Sequence, residues 1–293
     1  MNLVTLRTVR EVRNHLAGVR HKGKKIGLVP TMGALHAGHA SLIQTARSES
    51  DFVVVSIFVN PLQFGPGEDY LRYPRPIEKD LEICSQMGAD VVFLPEVAEI
   101  YAAEQRVFVD VTRLGDHLCG PFRPGHFRGV ATVVAKLFNI VQPQRAWFGE
   151  KDFQQLCIIR RMVQDLNFDV EIIPVPTYRD ADGLAMSSRN AYLDSDDRAA
   201  APTLYRALTT ARAMIENGER KAAVVKDKAS RIFAEQLRIR PQYFEIVDPV
   251  ELQPVDEITS EVRIAGAIWL GKTRLIDNVS AALLKHFRHV TCS

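Results

Sequence analysis

The chain has 293 residues, 46% hydrophobic, 25% charged and 8% aromatic, which is enough apolar content and length for one large or two modest globular domains. Lys+Arg 37 against Asp+Glu 35 leaves a formal charge of +2, so bulk electrostatics do not argue for nucleic acid or an anionic membrane, and any anion must be met locally. Apolar runs such as 52–58 and 264–270 are far shorter than the roughly 20 residues of a bilayer span, the N-terminus lacks a signal-peptide core, and the cysteines at 84, 119, 157 and 292 form no CxxC pair; a soluble cytoplasmic protein with buried, inert thiols is expected.

Short β-branched runs alternate with helical stretches through residue 177, the rhythm of βαβ units around a parallel sheet. KIGLVP (25–30) reads as a strand, 39–50 as a helix with Leu42, Ile43 and Ala46 on one face, and 52–60 as a strand covered on both faces. The polar, Gly/Pro-rich stretch 60–76 is too long for a simple connector and is a candidate binding loop. Helix 77–87, strand 89–95, helix 129–141, strand 145–149, helix 151–167 and strand 170–176 complete the alternation. Beyond Tyr178 come a loop (179–190), helices near 195–216 and 219–238, and strands 243–248, 262–270 and 273–279. The expected architecture is α/β: a Rossmann-like parallel-sheet domain over 1–177 and a smaller α+β domain over 178–293.

Two segments compete as phosphate sites. Gly266 to Thr273 satisfies G-x-x-x-x-G-K-[ST], but its intervening residues read as a buried strand and another strand pattern follows, so Gly271 and Lys272 are expected at a hairpin turn. The stretch VPTMGALHAGH (29–39) instead lies between a strand and the helix of a βαβ unit, where α/β sheets bind nucleotides. Gly33 and Gly38 allow close backbone approach, the helix N-terminus offers unpaired N–H groups, and His36 and His39 add donors. Lys151 and Asp152 fall at the same carboxyl edge of the sheet. Met186, Ser187, Ser188 and Arg189 suit a phosphate clamp, because hydroxyls and a forked guanidinium supply several donors. Arg123, His126 and Arg128 gather with glycines before a helix, another anion-friendly cluster.

The H-x-G-H signature together with the later Met-Ser-Ser-Arg loop resembles the nucleotidyltransferase superfamily, whose HIGH and KMSKS elements flank ATP. PTMGALHAGH (30–39), FVNPLQF (58–64), YPR (73–75), RPGHFRGV (123–130), FGEKDFQQL (148–156) and DGLAMSSRNAYL (182–193) together are similar to the pantothenate synthetase family, pantoate-β-alanine ligase. The resemblance implies ATP-dependent condensation of pantoate with β-alanine through pantoyl adenylate, with Mg²⁺ accompanying ATP and a homodimeric assembly. By motif position it implies that His36 and His39 contact phosphates with Met32 beside the reacting groups. Lys151, Ser187, Ser188 and Arg189 would hold phosphates, Met186 would belong to the same ATP-binding loop, and Gly149 and Asp152 would lie against adenosine. Gln63 and Gln155 would bond pantoate, and Asn60, Tyr73, Arg123 and His126 would line its site.

One departure concerns the metal. Many members carry two adjacent acids after YPR, whereas this chain has Glu78-Lys79-Asp80; Asp80 or Glu78 takes the metal role, or Mg²⁺ is held mainly by triphosphate and water. The rivals are a nucleotidyltransferase acting on a phosphate-bearing acceptor, which the amides Gln63 and Gln155 disfavour, and a metal hydrolase on His36, His39 and His126, which needs another close ligand and a general base.

Overall fold

A computed structural model describes residues 3–101 and 104–283. In chain order the first part holds β1 (Val4–Leu6), α1 (Val9–His21), β2 (Ile26–Thr31), α2 (Ala37–Glu49), β3 (Phe52–Ile57), α3 (Ile77–Gln86), β4 (Val91–Phe93), α4 (Val97–Ile100), α5 (His126–Val141), β5 (Arg145–Gly149), α6 (Phe153–Asp165) and β6 (Glu171–Val175). The strands pair in the order β1-β4-β3-β2-β5-β6, with every neighbouring pair parallel. The α/β expectation holds, and its physical basis is visible in β3. Val53, Val54 and Val55 are fully buried in succession because helices cover both faces of the sheet, so no polar alternation appears.

Strand order explains where a ligand belongs. The chain leaves β2 toward β3 and β4 on one side, then returns to place β5 and β6 on the other, so β2 pairs with both β3 and β5. At such a switch point the loops leaving adjacent strands diverge and open a crevice at the carboxyl edge. Here those are the segments after Thr31 and after Gly149.

The sequence reading omits β1 and α1. A local signal was present: Thr8 and Glu11 form a reciprocal cap, with Glu11 N–H donating to Thr8 Oγ1 at 3.2 Å and Thr8 N–H donating to Glu11 Oε2 at 2.9 Å. Val12 and Leu16, one turn apart, then bury the inner face of α1.

The chain divides into two compact units, and the boundary is interleaved rather than the single cut expected after 177. The first unit runs through Asp180 and regains Ala185–Ser188; the second takes Ala181–Leu184 and continues from Arg189. The returning segment is stitched to the first unit by an isolated bridge between Arg179 and Ala185, and by Met186 N–H donating to Tyr178 O at 3.0 Å.

The second unit contains α7 (Ser195–Ala200), α8 (Thr203–Glu216), α9 (Ala222–Ala234) and the antiparallel sheet β7 (Ile239–Val247), β8 (Val262–Leu270), β9 (Thr273–Ala281), the small α+β arrangement expected. The expected helix over 195–216 is broken in two at Pro202, which lacks the N–H needed to carry the helical ladder through. Leu204, Leu208, Ile215, Val225, Ile264 and Ile268 form its core. Leu270 pairs with Thr273 across a two-residue turn, so the P-loop-like string is a β-hairpin with exposed Lys272 at its tip.

Candidate active site

The turn between β2 and α2 is held from three directions. At its start Thr31 Oγ1 donates to Ser56 O at 2.8 Å and accepts from Gly33 N–H at 3.2 Å. Its middle residues, Gly33 and Ala34, are both left-handed, with φ of 82° and 51°. Their conformation turns the N–H groups of Ala34 and Leu35 toward the fully buried Asp80, whose Oδ2 and Oδ1 accept them at 2.9 and 2.7 Å. At its end His36 caps α2, its Nδ1 accepting from Gly38 N–H at 3.2 Å.

Two expectations change as a result. The backbone approach at Gly33 is occupied from within, since a Cβ there would lie 2.9 Å from Asp80 Oδ2 and 3.0 Å from Ile57 Cγ2. Asp80 does not fit the metal role: both carboxylate oxygens are engaged by amides and the side chain is sealed from solvent, where Mg²⁺ would need to keep water.

His36 and His39 stand side by side, ring centroids 4.1 Å apart. Burial, with Lys151 adding positive potential, pushes the His36 imidazolium down to about 4. Burial, His36 and Lys151 together push His39 well below its ordinary range. Both are therefore neutral at pH 7. Because His36 Nδ1 is an acceptor, its proton sits on Nε2, leaving a fixed neutral donor. The charges of Lys151, Asp152 and Asp180 are all felt at His36, as the switch-point geometry demands, and Lys151 Nζ lies 3.6 Å from Asp152 Oδ2. Gly149 ends β5 with open space around its Cα, and the short 3₁₀ turn Glu150–Asp152 carries Lys151 to the sheet edge.

Gln63 is the hub of a second group. It ends the 3₁₀ turn Pro61–Gln63, is 8% exposed, and sends its Nε2 to Met32 Sδ at 2.8 Å while Oε1 accepts from Asn60 Nδ2 at 3.1 Å. Asn60 is 1% exposed and also donates to Gly129 O, accepts from Leu62 N–H and accepts from Tyr101 Oη–H at 2.9 Å. It supports Gln63 rather than lining a pocket as expected. Gly129 is needed here because a Cβ would meet Leu62 O at 2.2 Å, preventing α5 from carrying the turn.

Arg123 and His126 are likewise engaged within the protein. Arg123 grips Glu68 through two bonds of 2.8 and 2.7 Å, and its Nη1 lies 2.9 Å from His126 Nε2. His126 Nδ1 lies 2.8 Å from Gln63 O. Burial, aided by Arg123, pushes His126 down to about 4. Tyr73, 5% exposed, places its hydroxyl 3.3 Å from Ser188 Oγ, linking the loop after β3 to the returning segment that holds Met186 and Ser187. Gln155 is half-buried in the first turn of α6. Arg189 follows Ser188 directly in a short 3₁₀ turn, Ser188–Tyr192, and is grouped with the second unit.

Sequence reasoning missed Glu68, Tyr101 and Gln154. Glu68 lies in the loop singled out as a binding loop, but no local pattern identifies its partner. Gln154, next to the favoured Gln155, is the buried one; its Nε2 donates to Leu114 O and His117 O, and its Oε1 accepts from Cys119 N–H. Cys84, Cys119 and Cys157 are buried, unoxidised thiols, and burial, with Asp80 nearby, pushes Cys84 up to about 12; Cys292 lies outside the described residues. Among the described residues no three His, Cys, Asp or Glu side chains cluster as a metal site, and no helix is long and apolar enough to cross a membrane.

Residues 4–280 match the family described as pantoate-beta-alanine ligase. The chain is 53% identical to the pantothenate synthetase of Moorella thermoacetica, over 94% of this chain and 97% of that protein. It is similar to the crystal structure of pantothenate synthetase from Thermus thermophilus, at 47% identity and a TM-score of 0.90, covering 94% of this chain and 98% of that one. It is also similar to pantoate-beta-alanine ligase from Francisella tularensis, crystallised with beta-gamma ATP and beta-alanine, at 35% identity and a TM-score of 0.78 over 95% and 97% of the two chains.

Proposed function

The chain belongs to the pantoate-beta-alanine ligase family and is an ATP-dependent ligase condensing pantoate with β-alanine, and from that premise we propose how its residues divide the work. The pantoate carboxylate attacks the α-phosphorus of ATP and pyrophosphate leaves. The β-alanine amine then attacks the acyl carbon of pantoyl adenylate, forming the amide and releasing AMP. No side chain needs to act as a covalent nucleophile, so the protein's task is alignment and stabilisation of phosphate charge.

The observation that carries this reading is the convergence of His36, His39 and Lys151 at the β2–β5 switch point. His36 offers a neutral Nε2–H donor whose orientation is set by the α2 cap, and Lys151 offers the cation. Neutral imidazoles beside a lysine suit a site that must admit Mg·ATP without surrendering protons to it. Ser187 and Ser188 add hydroxyl donors to the phosphates; Met186 in the same loop, Gly149 and Asp152 are assigned to ATP, and Arg189 is assigned by motif position alone. Gln63 and Gln155 supply amides to pantoate, with Met32 beside Gln63 at the reacting end. Tyr73 lines that region, while Asn60, Arg123 and His126 serve pantoate through the position they impose on Gln63.

Mg²⁺ would accompany ATP; with both oxygens of buried Asp80 taken by amides, the exposed Glu78 or the triphosphate and water would hold it, and its charge would offset that of the phosphates. Reduced, buried thiols at 84, 119 and 157 support a cytoplasmic setting, and the family likeness supports a homodimer. The decisive experiment is pyrophosphate exchange into ATP across a panel of small hydroxy acids. Exchange that depends on pantoate supports adenylate formation; exchange without it, or none, overturns it.

A further inference from the structure

Asp80 sits at a peculiar point of the molecule, fully buried in the first turn of α3 yet bonded to the turn that delivers His36. The two successive left-handed residues Gly33 and Ala34 build a concave pair of N–H groups, the geometry that elsewhere binds an anion. Here the anion is a side chain from 46 residues later in the sequence. Ala34 is not a glycine, and its Cβ disfavours φ of 51°, so something outside the turn must hold it there. Each carboxylate oxygen takes one amide, at 2.9 and 2.7 Å, lengths typical of charge-assisted bonds. The next residue is His36, whose ring nitrogen in turn caps α2.

We propose that Asp80 is a positioning residue for adenylate formation, acting through the Ala34 and Leu35 amides to fix the turn that orients His36, and that it does not ligate Mg²⁺. This rests on the reading of His36 as a donor to phosphate. A carboxylate is required because it accepts at both oxygens, whereas an amide of the same shape accepts at one and turns donors toward the other N–H. The burial that makes the clamp strong also keeps out the water that a Mg²⁺ ligand would share.

The test is Asp80→Asn, assayed beside the wild type for pantoate-dependent adenylate formation over a range of free Mg²⁺, with nitrogen-15 NMR of the His36 ring. The expected result is a fall in kcat of about 10-fold or more, with the Mg²⁺ concentration for half-maximal rate within about two-fold of wild type and a displaced or broadened His36 Nδ1 resonance. A rate restored by raising Mg²⁺ would show Asp80 to be a metal ligand and overturn the proposal, as would a variant with unchanged kcat and His36 resonance. Should Asp80→Asn fail to fold, Gly33→Ala, which presses a Cβ to 2.9 Å from Asp80 Oδ2 while keeping the charge, takes its place: reduced kcat at unchanged Mg²⁺ requirement supports the clamp, and wild-type kcat overturns it. Loss of adenylate formation in the wild type would instead overturn the assignment of the reaction route.

Discussion

Arg123 Nη1 lies 2.9 Å from His126 Nε2, and since a guanidinium carries only donors, that imidazole nitrogen must accept. The His126 proton is thereby forced onto Nδ1, which donates to Gln63 O at 2.8 Å. One charged side chain thus sets the tautomer of a buried histidine and, through it, the backbone position of a proposed pantoate-binding glutamine.

That relationship has a pH signature. His36 and His126 both fall from an ordinary 6.5 to about 4 in the folded protein, so between those values the unfolded chain binds more protons than the native one. Stability is expected to be unaffected by these groups above pH 6.5 and to fall as pH drops from 6.5 toward 4. His126→Gln keeps a donor and an acceptor but removes the titration. Denaturant unfolding across this range should show a shallower decline for the variant; equal slopes would mean that His126 does not stay neutral in the folded state.

His36→Ala and His39→Ala should each reduce adenylate formation by about 10²-fold, the scale of losing a preorganised donor. The His36 change also removes a helix cap and should cost about 1 kcal/mol of stability. Single-turnover measurements on folded variants check the first point and thermal unfolding the second. Rates within a few fold of wild type would deny both histidines a role at phosphate.

Gln63→Ala and Gln155→Ala should raise the pantoate requirement while leaving ATP affinity near normal. Asn60→Ala should reproduce the Gln63 phenotype without touching substrate, because Asn60 Nδ2 holds Gln63 Oε1. Gly129→Ala should do so with a stability loss of about 1–3 kcal/mol from the clash with Leu62 O. Calorimetry with each ligand separates the effects; an equal loss of ATP affinity would move these amides to the nucleotide.

Lys151→Ala should lower catalytic efficiency by about 10- to 100-fold, matching the roughly 1.5–3 kcal/mol of a charge-assisted bond to phosphate. Lys272→Ala, at an exposed hairpin tip, should stay within about 0.5 kcal/mol of wild-type stability and retain activity. Pantothenate formation by the two variants side by side checks both. Severe loss at Lys272 with little at Lys151 would return the P-loop reading.

What the sequence determined by itself were properties carried by neighbours in the chain. The apolar run at 52–60 identified a strand covered on both faces, which ends at Ile57, and the strand-turn-helix context of His36 and His39 set that segment apart from the hairpin that merely spells a P-loop. The TVRE signal at 8–11 would also have marked α1, since a capping box is local. Tertiary structure alone decided the pairings between distant residues: Asp80 with the amides of Ala34 and Leu35, Arg123 with Glu68, Asn60 with Tyr101 and Gly129. A side chain's chemistry states what it can bond, but burial and the strand order state which partner is left to it once water is excluded. For that reason the motif residues were legible as a group, while the contacts that hold each of them in place emerged only from the fold.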